Sequence, residues 1–118
     1  MAVTPSYKAY VLEQLTGPGP VSARAMFGGV GLYCQGLFFA LIDNDTVYLK
    51  VDDVTRGDFE RLGSGAFRPY GDESPTMQYY ELPAEILEDR EAARPWVARA
   101  LEVARRAAAR KAAGKRSR

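Results

Sequence analysis

Histidine is missing from this chain of 118 residues, and cysteine occurs once, as Cys34. The first absence removes the usual general base near neutral pH and the commonest metal ligand. It also rules out a Ser-His-Asp triad. A lone cysteine forms neither an internal disulfide nor a dithiol redox pair, and it offers no second thiol for a structural zinc site. Catalytic, cofactor-binding and metal-binding residues are therefore not expected, and a reducing, cytoplasmic compartment fits best. No apolar run approaches the roughly 20 residues that a membrane span requires. The opening "MAVTPSYKAY" also lacks the basic-then-apolar order of a secretory signal.

What is present describes an ordinary soluble domain. Hydrophobic residues make up 47% and charged residues 26% of the chain, in the range of globular proteins with a packed core. The length suits one domain, expected over residues 1–112 with a basic tail over 113–118. A net charge of +1 conceals an asymmetry. From residue 94 onward nine basic residues face the single acid Glu102, so the first 93 residues are net acidic. Such a basic end can attract an anionic partner or dock on its own acidic body.

The patterning predicts an order of helix, four strands, helix, two strands, helix. Thr4 and Pro5 open the first helix, with Tyr7, Val11 and Leu15 on one face, and "TGPGP" stops it. Strands are expected near Ser22–Phe27, Gly29–Tyr33, Leu37–Ile42 and Thr46–Val51, joined by tight turns at Gln35-Gly36 and "DND". A helix follows, capped by Asp52 or Asp53, burying Val54, Phe59 and Leu62 and ending at Gly63. Two strands near Ala66–Tyr70 and Met77–Leu82 come next. After Pro83 a short helical turn precedes a long helix from about Arg94, with Trp96, Val97, Ala100, Leu101, Ala104 and Ala108 as its apolar stripe. Connections this short favour antiparallel pairing, so the fold expected is α+β, a largely antiparallel sheet packed with helices.

The stretch "ARAMFGGVGLYCQGLFFALI" (23–42) packs four glycines among apolar residues. A dinucleotide-binding loop needs Gly-x-Gly-x-x-Gly before a helix. Counted from Gly29, its third glycine falls at Cys34, and a strand follows. No Gly-Lys-Ser/Thr is present either, so a P-loop is excluded. Gly28 and Gly29 are better explained as a corner or bulge, and Gly31 as a place where a neighbour approaches closely. The acid pairs Asp43/Asp45 and Asp52/Asp53 have the chemistry for Mg²⁺ or acid–base work. They stand, however, where turns and helix caps need such side chains.

Several separated motifs together resemble the N-terminal domain of the TfoX/Sxy family. They are Arg24, Met26-Phe27-Gly28-Gly29, Tyr48-Leu49-Lys50, and Tyr79-Tyr80 leading to Pro83, spread over about residues 5–105. The resemblance implies a fold akin to secretion-chaperone-like domains and a regulatory role in bacteria. Family members promote expression of DNA-uptake (competence) genes together with the cyclic-AMP receptor protein. Full-length regulators carry a second, helical domain, for which this sequence has no room. The alternative is a stand-alone protein-interaction or chaperone-like domain without a transcriptional role.

Three binding surfaces follow from the residues. Arg24, Phe27, Gly28, Gly29, Tyr48, Lys50 and one of Tyr79 or Tyr80 are expected to share a partner-binding face, since aromatics beside a cation suit protein hot spots and base stacking alike. Arg105, Arg106, Arg110, Lys111, Lys115 and Arg116 are expected to give weak, non-specific, salt-sensitive nucleic-acid affinity. Met26, Phe27, Phe38 and Phe39, with an uncovered strand edge, could pair two chains as a homodimer.

Overall fold

The computed structural model describes residues 3–16, 19–26, 29–67 and 76–116. Helix α1 spans Pro5–Gln14, and the Thr4 hydroxyl accepts the Tyr7 N–H at 3.3 Å as its cap. Pro5 takes the first position, where its missing N–H costs nothing. Val11 and Leu15 are buried and Tyr7 is half-buried, so one face of α1 enters the core as its spacing predicts.

Strands β1 (Val21–Met26), β2 (Gly29–Cys34), β3 (Leu37–Asp43) and β4 (Thr46–Lys50) follow as a meander. Two-residue turns set its register. Gln35 and Gly36 have φ of 55° and 77°, and Asn44 and Asp45 have φ of 53° and 52°. Paired left-handed residues of this kind match the right-handed twist of the strands they join. Helix α2 (Asp53–Arg61) leads to β5 (Ala66–Phe67) and β6 (Thr76–Glu81). The spatial order is β1-β2-β3-β4-β6-β5, antiparallel at every pairing. The chain thus passes β6's place, forms the short edge strand β5, and returns. Residues 68–70, expected as the end of that strand, lie outside the described residues.

Helices α3 (Ala84–Leu87) and α4 (Arg90–Arg116) complete the chain. Helix α4 starts four residues earlier than its sequence predicts. Asp89 is the reason: its carboxylate accepts the N–H groups of Glu91 and Ala92 at 3.1 and 3.3 Å, capping the helix there. Pro95 therefore falls inside the helix, beyond its first turn. The buried stripe of α4 runs through Ala93, Val97, Ala100, Val103 and Ala104, while Ala108 is exposed. The helix continues to Arg116, through residues expected to form a tail.

Sheet and helices share one core. The cross-strand row Leu32, Ala40, Leu49 and Tyr80 lies on the helix side with Ile42, Val47 and Phe39. Val11, Leu15, Phe59, Leu87, Val97 and Ala100 meet it from the helices. Each fully buried side chain of this size contributes about 1.5–3 kcal/mol. Cys34 belongs here too. It is the last residue of β2 and is buried, and burial pushes its thiol pKa up. Val54 and Leu62, expected inside, are exposed, because α2 turns Thr55 and Phe59 inward instead.

Candidate interaction face of the sheet

Antiparallel register decides which side chains share the other face. Arg24 pairs with Gly31, Gly31 with Leu41, Leu41 with Tyr48, and Tyr48 with Glu81. These five form one row across five strands, with a cation at one end and a carboxylate at the other. A second row holds Ser22, Tyr33 and Phe38, and Lys50 opposite Tyr79 lies on the same side. Val11, Phe59, Leu87, Val97, Ala100 and Ala104 of the helices cluster against the opposite face.

A band of rings runs over this face. Tyr33 and Phe38 stack with centroids 5.2 Å apart, Phe38 lies 5.7 Å from Tyr79, and Tyr48 lies 4.9 Å from Phe67. Cations flank the Tyr33–Phe38–Tyr79 run. The Arg24 guanidinium stands 5.4 Å from the Tyr33 ring centre, and the Lys50 ammonium 5.0 Å from that of Tyr79. Both distances fall within reach of cation–π attraction. Lys50 Nζ also donates to the Tyr79 hydroxyl at 3.4 Å.

These neighbours alter the acidities. Burial, with Tyr33 nearby, pushes the Tyr79 phenol up to about 12. Burial, Glu81 and Asp43 raise that of Tyr48. Burial and then the charge of Arg110 lower the Lys50 pKa, and both residues line one cleft where β4 meets α4.

Of the residues expected to share a face, Arg24, Gly29, Tyr48, Lys50 and Tyr79 do so. Phe27 and Gly28 lie outside the described residues. Tyr80 points the other way, because neighbours on a strand alternate. Its ring lies 6.3 Å from Phe59, and its hydroxyl donates to Glu60 at 3.0 Å. Gly29 makes a close approach of its own: a Cβ there would sit 2.5 Å from the Ile42 carbonyl oxygen. Tyr33 and Phe67 escape a reading from the sequence, and Phe38 is expected there only at a self-pairing surface. A bulge makes Phe39 an extra residue between Phe38 and Ala40, so Phe38 and Leu41 share a face despite their odd spacing. Phe39 itself is fully buried and contributes no surface.

The acid pairs are occupied structurally. Asp45 accepts the Thr4 N–H at 2.9 Å and its hydroxyl at 3.1 Å, tying α1 to the β3–β4 turn. Asp52 caps α2 by accepting the N–H groups of Val54 and Thr55, and the Thr55 hydroxyl accepts the Asp52 N–H in return. Hydrogen bonds from Thr55 above all hold the Asp52 carboxyl below its ordinary range. Asp53 pairs with Arg56 at 2.7 Å.

The basic end of the chain divides in two. Arg99 pairs with Asp58, Arg105 with Glu102, and Arg106 with both Asp52 and Glu102. The first part of α4 thus docks on the acidic helix α2 and on its own acid. Arg110 and Lys111 are exposed and make no ion pair among the described residues. Lys115 and Arg116 fall in the last turn of α4. Among the described residues no helix is long and apolar enough to cross a membrane.

A search for similar curated proteins finds no match. The profile of the TfoX N-terminal domain, in contrast, matches residues 13–104, a span that takes in the whole sheet, α2, α3 and the buried half of α4, and the chain therefore belongs to the TfoX N-terminal domain family.

Proposed function

We propose that this protein is a non-enzymatic bacterial regulatory module of the cytoplasm, acting through contacts with a transcription factor to promote expression of DNA-uptake genes. Family membership supports the regulatory reading. The observation that carries the contact mechanism is the sheet face opposite the helices. It presents the Tyr33, Phe38 and Tyr79 rings flanked by Arg24 and Lys50, the Tyr48–Phe67 pair on β4 and β5, and Glu81 at the far end of the Arg24 row. Rings and arginine on a rigid sheet are the composition of protein hot spots, and charges of both signs fix orientation. The partner that fits the family is the cyclic-AMP receptor protein. The basic end adds weak, salt-sensitive affinity for nucleic acid through Arg110 and Lys111, helped by Arg105, Arg106, Lys115 and Arg116.

Complementation tests the reading. A competent bacterium lacking its own family member is given this chain, and transcripts of its uptake genes are counted. The wild-type chain restores them, and the Arg24→Ala/Lys50→Ala variant, folded to the same extent, does not. Equal restoration by both removes the face from the mechanism. No restoration by either, with the protein present and folded, removes the regulatory role and leaves the stand-alone interaction domain.

A further inference from the structure

Where β4 ends and α2 begins, the chain leaves a cleft of about 640 Å³ that reaches α4. Val51, Val103 and Ala107 give it an apolar lining, and the charged groups around it are Lys50, Arg56, Arg110, Asp52 and Asp53. The two carboxylates are already engaged. Asp53 holds Arg56, and Asp52 is taken by its capping bonds and by Arg106 at 3.5 Å. That leaves Lys50 and Arg110, which make no ion pair among the described residues. They come from distant parts of the sequence, one from the sheet and one from the last third of α4, and they converge on one hollow.

Two like charges in a shared cleft repel each other and disfavour their own ionised forms. The depressed pKa of Lys50, caused by burial and then by Arg110, is consistent with that repulsion. An anion seated between them would relieve it. A guanidinium grips phosphate oxygens in a fork, and an ammonium serves as a point charge beside it. The volume matches sites for small organic ligands, whose apolar part needs a lining such as Val51, Val103 and Ala107 provide. A concave hollow with two convergent cations suits a compact ligand better than an extended polymer.

We propose that this cleft is a binding site for a small phosphate-bearing molecule, held by Lys50 and Arg110. The site is separate from the contact face proposed above, although Lys50 borders both, and it does not depend on the identity of any protein partner.

Calorimetric titration of the full chain at low ionic strength tests the site, with inorganic pyrophosphate, adenosine 5′-monophosphate, adenosine and a short DNA duplex as probes. Both small phosphate probes should saturate a single site, and adenosine should not bind. Lys50→Met and Arg110→Gln should each weaken binding by about ten-fold or more, the loss typical of one charge-assisted hydrogen bond. Lys111→Gln, the neighbouring cation outside the cleft, should change it by less than about two-fold. Arg110 is exposed, so its variant keeps the fold, and unchanged thermal melting verifies this. Three results overturn the proposal: no saturable binding of either small phosphate, equal weakening by Lys111→Gln, or binding of the duplex alone.

Discussion

The Lys50 ammonium donates to the Tyr79 hydroxyl at 3.4 Å while lying 5.0 Å from the centre of the same ring. The two residues are opposite each other on β4 and β6, so register alone brings them together. The lysine stem covers the ring, and its charge reaches the ring's polar end. Tyr79 is consequently only 9% exposed although it faces away from the helices.

Its packing, more than its hydroxyl, should hold Tyr79 in place. Tyr79→Ala is expected to cost about 3 kcal/mol, the loss of a large buried ring with incomplete collapse of the space. Tyr79→Phe should cost no more than about 1 kcal/mol, because the hydrogen bond it removes is long. Urea unfolding midpoints measure both.

Alkali should weaken the fold through its tyrosines. Tyr7 and Tyr79 are pushed up to about 12 from an ordinary value of 10, chiefly by burial. Above pH 10 the unfolded chain loses these protons first, so stability is whole below 10 and falls between 10 and 12. Lys50 works in the opposite sense. Its folded pKa lies below 10.5, so the cost of its charge is relieved as pH rises through that value. Tyr79→Phe should flatten the alkaline fall and Lys50→Met should steepen it, as read from unfolding curves across this range.

Acid should loosen α2 through its cap. Because the Asp52 pKa is lowered in the fold, its contribution is present above the ordinary value of 3.8 and is lost as pH falls through the folded value. Asp52→Ala should cost about 1 kcal/mol at neutral pH, and Asp52→Asn less, since the amide oxygen still accepts the Val54 and Thr55 N–H groups. The difference between wild type and Asp52→Ala should shrink in acid. Circular dichroism during urea unfolding at both pH values checks it.

Two glycine substitutions should move stability in opposite directions. At Gly29 an added methyl meets the Ile42 carbonyl oxygen, backbone that cannot step aside. Gly29→Ala should therefore cost about 1–3 kcal/mol. At Gly57 the nearest atom is the tip of the Arg61 side chain at 3.7 Å, so Gly57→Ala should stabilise α2 by about 0.5–1 kcal/mol. Thermal melting of the two variants decides.

The strand meander and its turns were legible because Gln35-Gly36 and Asn44-Asp45 carry local signals strong enough to fix the register. The register in turn placed Arg24, Tyr48 and Lys50 on one face, while the choice between Tyr79 and Tyr80 stayed open. What the sequence hides depends on contacts made at a distance. The Phe39 bulge breaks strict alternation and so conceals Phe38. The return of β6 beside β4, rather than beside β5's outer edge, decides that Tyr79 meets Lys50. Nor does any local pattern show that Arg110 lines the same cleft as Lys50. Val54 and Leu62 mislead for a simpler reason: a short helix of nine residues buries a narrow stripe, and Thr55 and Phe59 fill it.

The regulatory contact proposed for this chain is made by the ring-bearing face of the sheet. Titration of the purified chain into purified cyclic-AMP receptor protein measures this directly, with Arg24→Ala/Lys50→Ala as the test variant and Arg105→Ala, on the exposed side of α4, as the control. Saturable binding by wild type and control, weakened about ten-fold or more in the double variant, is the result predicted. Undiminished binding by the double variant, or none by the wild type, would contradict it.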